Sequence, residues 1–442
     1  MLSREDNELM CRVGAGTPMG AALRRFWIPA LQVSDIPTPD CDPFPLEILG
    51  EKLVAFRDTS GKVGVLDEHC CHRGASLVCG RVEHGGIRCL FHGWKFAVDG
   101  TVLETPNVND PGFKDRIKAK SYPVREAGGL IWIYLGKASE EPEFPHHPWF
   151  DVPDSNRNNA YLVENGNYVQ VIEALVDSSH LNILHTDGLR RSRGLEGLNF
   201  AAAADMEFDS APRIEVDETD FGFHYAALRG GTGEDDPVHA RITAFIAPFA
   251  VANPNEDLWM GVVPINDTQS IHFHVWWHVE KKMGEEPLKT RMIEHVGLDQ
   301  EALRGLNLTY DTLNSPDKPS RSNRYRQNRQ SLKEGKFSGF YSFTQEDSAM
   351  ILSMGPIKDR SKELMAPVDM AVMRLYRTLI QMAKDQAEGK DPVGLNADPM
   401  KIFGRNGNLP HDVDWRTLVP SHNITRYHRG AARERGATAA AE

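Results

Sequence analysis

The stretch His69–Phe96, HCCHRGASLVCGRVEHGGIRCLFHGWKF, sets two short pairs of metal-binding side chains sixteen residues apart. Cys70 and His72 form the first pair, Cys89 and His92 the second. Two thiolates and two imidazoles suit a [2Fe–2S] centre in which two His replace two Cys on one iron, with the softer thiolates on the other iron. The rival is a Cys₂His₂ zinc site, but zinc fingers usually pair like with like, two Cys and then two His. Here each pair is mixed, so each loop gives one ligand to each iron. Arg73 follows the first His, and Gly93 and Trp94 follow the second.

A second constellation lies in Glu164–Gly188, ENGNYVQVIEALVDSSHLNILHTDG, which carries Asp177-x-x-His180-x4-His185. Two His with a carboxylate from elsewhere make the facial set that leaves non-haem Fe(II) open positions for O₂. Residues 167–181 read as a helix that places Glu173, Asp177 and His180 on one face. Asp177 is then placed to accept a hydrogen bond from His180. The five-residue step from His180 to His185 leaves that face, so the helix is expected to bend or end between them.

With both motifs in hand, the chain resembles the terminal oxygenase component of Rieske non-haem iron oxygenases, most closely the phthalate 4,5-dioxygenase branch. The resemblance runs through MLSREDNELMCRVGAGTPMGAALRRFWIPA, LGEKLVAFRDTSGKVGVLDEHCCHRGASL, CLFHGWKFAVDG, VDSSHLNILH and TQEDSAMILSMGPIKDRSKE, and is weaker between about 190 and 335. It departs at Cys71, where Pro is usual, and at Phe91, where Tyr is usual. Cys71 reads either as a perturbation of the cluster's hydrogen bonding or as a spare buried thiol.

The resemblance implies an α+β fold: a small all-β Rieske domain, then an antiparallel sheet with helices of the helix-grip type. It places the third ligand of the mononuclear Fe(II) at Asp347, with the adjacent Glu346 as the alternative assignment. It implies a homo-oligomer, a trimer or stacked trimers, in which Asp177 bridges His180 and His92 of the next chain. It also implies a separate flavin and iron–sulfur reductase using NAD(P)H. The chain itself has no G-x-G-x-x-G fingerprint set between a strand and a helix. A bare Rieske electron carrier needs neither the long chain after the cluster nor Asp177, His180 and His185.

The 442 residues allow two or three domains. A net charge of −12 argues against nucleic acid as a partner. No apolar run is long enough to span a membrane, and the N-terminus is too polar for a signal peptide. Six cysteines suggest no disulfide framework, and Cys11, Cys41, Cys71 and Cys79 read as reduced thiols of a cytoplasmic protein.

Along the chain we expect a helical arm over 1–25, the cluster domain over 26–140, a linker over 141–154 containing Pro142, Pro145, Pro148 and Pro153, a catalytic domain over 155–428, and a disordered tail over 429–442. Short strands with Gly and Asp turns fill 45–136. Later strands include HYAALRG, ARITAFIAP and SIHFHVWWHVE, and a helix over about 364–388 packs Val368, Val372, Leu375 and Leu379. His272, His274 and His278 alternate onto one strand face with Trp276, which reads as a half-exposed sheet face rather than a metal site. The run Lys318, Arg321, Arg324, Arg326, Arg329, Lys333, Lys336 reads as a solvated loop, with docking of an acidic redox partner or a neighbouring subunit as the alternative.

The resemblance implies O₂-dependent oxidation of an aromatic substrate, and we expect a small aromatic acid of benzoate or phthalate type. Dihydroxylation is the first reading, with monooxygenation or O-demethylation as the alternative on the same iron set. A carboxylate entering a partly dry pocket must be met by a cation or several donors, and the forked guanidinium of Arg fits best. The candidates are Arg190, Arg191, Arg193, Arg213, Arg229 and Arg241. Arg241 is preferred because it stands in the apolar strand ARITAFIAP, where Thr243 and Phe245 share its face. Ser179, beside His180, is a further candidate donor to the substrate.

Overall fold

A computed structural model describes residues 2–192, 210–231, 233, 236–254 and 258–419. The tail expected over 429–442 and Arg193 lie outside them.

The N-terminal arm is two helices. Ser3 caps Arg4–Cys11 by accepting from the Asp6 N–H, and Thr17 caps Pro18–Leu23 by accepting from the Gly20 N–H. Pro18 opens the second helix, where its missing N–H costs nothing. Both helices pack on the long helix Met370–Ala387, whose Leu375, Leu379 and Ala383 are buried on one face. Val368, expected inside that helix, stands in the 3₁₀ turn before it.

The cluster-bearing part is all β, in three small antiparallel sheets. Trp27–Gln32 pairs with Leu130–Tyr134, which pairs with Val124–Ala127. Phe44–Ile48, Glu51–Arg57 and Val63–Asp67 form a meander. Arg81–Glu83, Gly86–Arg88, Lys95–Phe96 and Val102–Glu104 form the last sheet. Beneath the two ligand loops lies a small separate core containing Phe56, Leu66, Ile87, Phe96, Cys70 and Cys89.

The proline-rich stretch after it is packed rather than free. Trp149 is buried, stacks on Trp132 at 6.1 Å and meets Trp259 of the strand Leu258–Asn266 at 5.4 Å. Such aromatic pairs contribute about 0.5–1.5 kcal/mol each beyond area burial. Prolines dictate irregular backbone here, and the aromatic residues between them fasten it to both neighbours.

The fourth sheet has eight antiparallel strands. Seven run in the order Arg157–Glu164, Gln269–Trp277, Leu258–Asn266, Ala250–Ala252, Val238–Ile246, Gly222–Gly230, Arg213–Thr219. Arg405–Leu409 adds to Val238–Ile246. Helix Tyr168–Val176 lies on this sheet and packs against helix Phe343–Ser353. Among the described residues, no helix is long and apolar enough to cross a membrane.

Candidate metal centres and pocket

The two Cys/His loops repeat one backbone device. In the first, the Gly74 N–H donates to the Cys70 carbonyl and the Cys70 N–H to the Ala75 carbonyl. In the second, the Gly93 N–H donates to the Cys89 carbonyl and the Cys89 N–H to the Trp94 carbonyl. Both glycines have positive φ, 72° and 74°, which a Cβ disfavours. The loops thereby present Cys70 and Cys89, both buried, as one pair, and His72 and His92, partly exposed, as another with ring centroids 4.5 Å apart. Burial and the neighbouring Cys89 push the Cys70 thiol up to about 11, although a backbone bond at His72 acts the other way. A metal is what makes such thiols thiolates.

Among the described residues, these four side chains do not converge on one point as a tetrahedral zinc site requires; the set that does is His180, His185 and Asp347. A thiol pair and an imidazole pair suit the two irons of a [2Fe–2S] cluster. Trp94 stacks on His72 at 4.4 Å and 5° and fixes its ring. Cys71 is exposed, not the buried thiol expected, because the turn aims it away from the small core.

The second centre is built by an interrupted helix. Asn167 caps Tyr168–Val176 by accepting from the Val169 N–H. The helix stops earlier than expected, at Val176, because Asp177 turns extended and its Oδ1 accepts from both the backbone N–H and the hydroxyl of Ser179, each at 2.7 Å. This side-chain turn competes with helical bonding. A single turn, Leu181–Leu184, follows, with His180 before it and His185 after it. Glu173, expected on the site face, instead pairs with Arg360 and Lys358.

His180 Nδ1 lies 3.2 Å from Asp177 Oδ2, and His185 Nδ1 lies 2.7 Å from Glu346 Oε2. The opposite nitrogens face one carboxylate: Asp347 Oδ1 is 3.1 Å from His185 Nε2 and 3.8 Å from His180 Nε2. The ligand atoms of the three lie within 4.8 Å of one another. Ser342 caps helix Phe343–Ser353, which carries both acidic residues, and Ser338 donates to Glu346.

Burial disfavours the Asp347 carboxylate, but His185 and His180 hold it below the usual range. Burial likewise opposes charge on His185, yet Asp347 and Glu346 more than offset it and push the imidazole up to about 10. This cluster of carboxylates therefore favours a cation. Two imidazoles and one carboxylate with second-side carboxylate partners fit Fe(II) in donor type and support.

A cavity of about 140 Å³ opens beside these three residues, between the two helices and the sheet, with apolar walls that include Leu162, Val171, Leu258, Met260 and Ile351. Arg241 lines it, is buried, and has no hydrogen-bond partner at Nε. Burial pushes its guanidinium down to about 10, a cost that an incoming anion relieves. Thr243 and Phe245 share its strand face but do not line the cavity; Phe245 packs on Phe223 instead.

The remaining candidates sit elsewhere. Arg229 is buried and donates to the Ser178 carbonyl, bracing the turn between Asp177 and His180. Arg213 pairs with Glu215, and Arg190 and Arg191 are exposed. Ser179, expected to donate to a substrate, donates to Asp177 and is not part of the cavity wall. His272 and His274, expected on a half-exposed face, are buried and line the cavity with Trp276. The sheet is covered on both faces, so alternation along the strand did not mark the outside. His278, past the strand end, is half-buried, and its Nδ1 accepts from the Glu280 and Lys281 N–H groups.

Residues 26–123 match the family described as the Rieske [2Fe-2S] domain, and residues 133–437 match the one described as LigXa C-terminal domain like. The phthalate 4,5-dioxygenase oxygenase subunit of Pseudomonas putida is 34% identical, over 94% of each chain. The 3-chlorobenzoate-3,4-dioxygenase oxygenase subunit of Comamonas testosteroni is 35% identical, over 94% of this chain and 98% of its own. The 5,5'-dehydrodivanillate O-demethylase oxygenase subunit of Sphingobium sp. (strain NBRC 103272 / SYK-6) is 30% identical, over 90% and 84%. Among solved structures, Pseudomonas putida CBB5 NdmA aligns over 86% of this chain and 97% of its own with a TM-score of 0.55 at 15% identity. Dicamba monooxygenase bound to dicamba aligns over 83% and 99% with the same score at 18% identity.

Proposed function

Because this chain belongs to the Rieske-type oxygenase subunits that act on aromatic compounds, we propose that it oxidises an aromatic carboxylate held against Arg241. Buried Arg241, unpartnered at Nε in a largely apolar cavity, carries this reading. An isolated buried cation is costly, and a carboxylate is its best complement. The cavity's size fits one ring, since an apolar cavity of about 150 Å³ holds a benzene.

We assign Cys70, His72, Cys89 and His92 to the cluster and His180, His185 and Asp347 to the mononuclear iron. When bound, these groups supply single electrons and dioxygen activation. The chain's own residues do the rest. Arg241 fixes the carboxylate, and the apolar walls orient the ring and keep water away from it. Asp177 and Glu346 each hold a proton on the Nδ1 of their His, leaving the lone pair of Nε2 free to ligate metal.

We further propose a homo-oligomer in threes, in which Asp177 receives His92 of a neighbouring copy. Leu90 and Phe91 beside His92 are 59% and 56% exposed, and Met350, Met354 and Leu364 beside Asp177 are exposed too, so two apolar patches lie at the two ends of the electron route. A separate flavin and iron–sulfur reductase supplies the electrons from NAD(P)H, in the cytoplasm. Dihydroxylation is our first reading, because two relatives matched over 94% of this chain are dioxygenase subunits; the O-demethylase relative favours the alternative.

The test is turnover with a reductase and ¹⁸O₂ over benzoates, phthalates, methoxybenzoates and their methyl esters. Two labelled oxygens in a free acid support dihydroxylation, and one supports monooxygenation. Formaldehyde release marks demethylation. Turnover of esters alone removes the acid class.

A further inference from the structure

We propose that Glu164 and His272 form a second polar anchor in the cavity, which takes a neutral hydrogen-bond-donating ring substituent, hydroxyl or amino, and turns away a second carboxylate. The proposal rests on the aromatic-acid reading for the first carboxylate.

Both side chains line the same cavity as Arg241, and they are 2% and 7% exposed. In the sheet register Leu162 faces His272, so Glu164 is the diagonal neighbour of His272 on one face. Glu164 Oε2 accepts from the Ser348 hydroxyl at 3.0 Å. Its Oε1 lies 3.8 Å from His272 Nδ1, too far for a hydrogen bond. Among the described residues no Lys or Arg pairs with Glu164. His272 Nε2 and His274 Nδ1 have no hydrogen-bond partner. Buried polar groups are nearly always partnered, so this wall lacks a ligand group.

The chemistry of that group follows from the wall. An ammonium or guanidinium is not required, because Arg241 already supplies the cation for an acid. A hydroxyl or amino N–H donates to Glu164 Oε1 and meets the imidazole of His272 beside it. Burial keeps the His274 imidazole well below its usual range, so the neighbouring ring brings no positive charge to offset an anion. A second carboxylate would therefore face Glu164 with no Lys or Arg beside it among the described residues.

His272 and Arg241 stand on strands three places apart in the sheet and line the same cavity. Ser348 holds Glu164 to the helix that also carries Asp347, so the ring substituent is registered against the metal side of the cavity.

Calorimetric titration of the iron-loaded enzyme with benzoate, 3- and 4-hydroxybenzoate, their methoxy analogues and the three phthalate isomers tests this. Wild type should bind one hydroxybenzoate at least about tenfold more tightly than benzoate and than its methoxy analogue, as expected for a charge-assisted hydrogen bond, and the dicarboxylates at least tenfold more weakly than benzoate. Glu164→Gln, which keeps the shape, should abolish the hydroxyl preference and bring the dicarboxylates to within about threefold of benzoate. His272→Phe should lose the hydroxyl preference. Wild type without either preference overturns the proposal whether or not the variants fold. So does Glu164→Gln with both ratios intact, given wild-type iron content and cluster spectrum. If no acid binds, the aromatic-acid reading fails by itself, and phenol against anisole then reads Glu164: a phenol preference lost in Glu164→Gln supports the anchor, and an unchanged or absent one overturns it.

Discussion

Glu346 Oε2 lies 2.7 Å from Nδ1 of His185, across 161 residues of sequence, while Asp347, its chain neighbour, faces the other nitrogen of the same ring. Two adjacent acidic residues on one helix thus divide the work. On the proposed assignment Asp347 joins the ligand set and Glu346 sets the tautomer and orientation of His185.

Glu346→Gln should therefore keep the fold and the cluster spectrum but weaken binding of mononuclear iron by about 10–100-fold, the usual cost of losing such a partner. Asp347→Ala should lose that iron altogether. Iron analysis and the electron paramagnetic resonance of the reduced cluster separate the two, and full iron in Asp347→Ala with loss in Glu346→Ala would reverse the assignment.

Arg241→Met should weaken binding of the acid substrate by about 2 kcal/mol or more, roughly thirtyfold, because a buried charge pair loses one member. The methyl ester should change much less. Equal losses for acid and ester, with iron intact, would take Arg241 out of the site.

How far these residues were legible in sequence depended on how local their chemistry is. The two Cys/His loops were readable as repeated turns because each Cys, its His and the closing glycine lie within five residues, Cys70 to Gly74 and Cys89 to Gly93. The Asp177–His180 contact was readable for the same reason, though the helix end was misplaced because the side-chain turn through Ser179 competes with helical bonding. Glu346 could not be chosen as the partner of His185 from sequence, since the pairing spans two distant elements. His272 and His274 were misread because strand alternation separates two faces without saying which is buried, and here both are. The packed linker depends on Trp149 meeting Trp132 and Trp259, contacts that no local pattern reveals.

Asp177→Asn keeps the side chain's shape and removes the charge of the bond to His180. We expect normal cluster reduction by the reductase, normal iron content and very slow turnover, with slow reoxidation of the cluster in a single turnover. Sedimentation should give multiples of three chains; a monomer with full activity would contradict the arrangement.

Arg360 is fully buried and bonds Glu173, Asn7 and Cys11, tying the N-terminal arm to the helix Tyr168–Val176 that precedes Asp177. Arg360→Met should destabilise the protein by about 3–5 kcal/mol, as when one member of a buried ion pair is removed. Lys62→Met, at an exposed turn, is the control for thermal melting and should stay near wild type.

The central claim is that one chain holds two separate iron centres in two separate ligand sets. Iron and acid-labile sulfide should be counted in wild type, His185→Ala and Cys89→Ala, with resonance spectra of the reduced proteins. The account predicts the two irons and two sulfides of a His-ligated cluster plus one further iron in wild type, with the low average g-value of that cluster type. His185→Ala should lose only the further iron, and Cys89→Ala should lose the cluster. A colourless wild-type protein with one zinc per chain, released by Cys89→Ala, would contradict it.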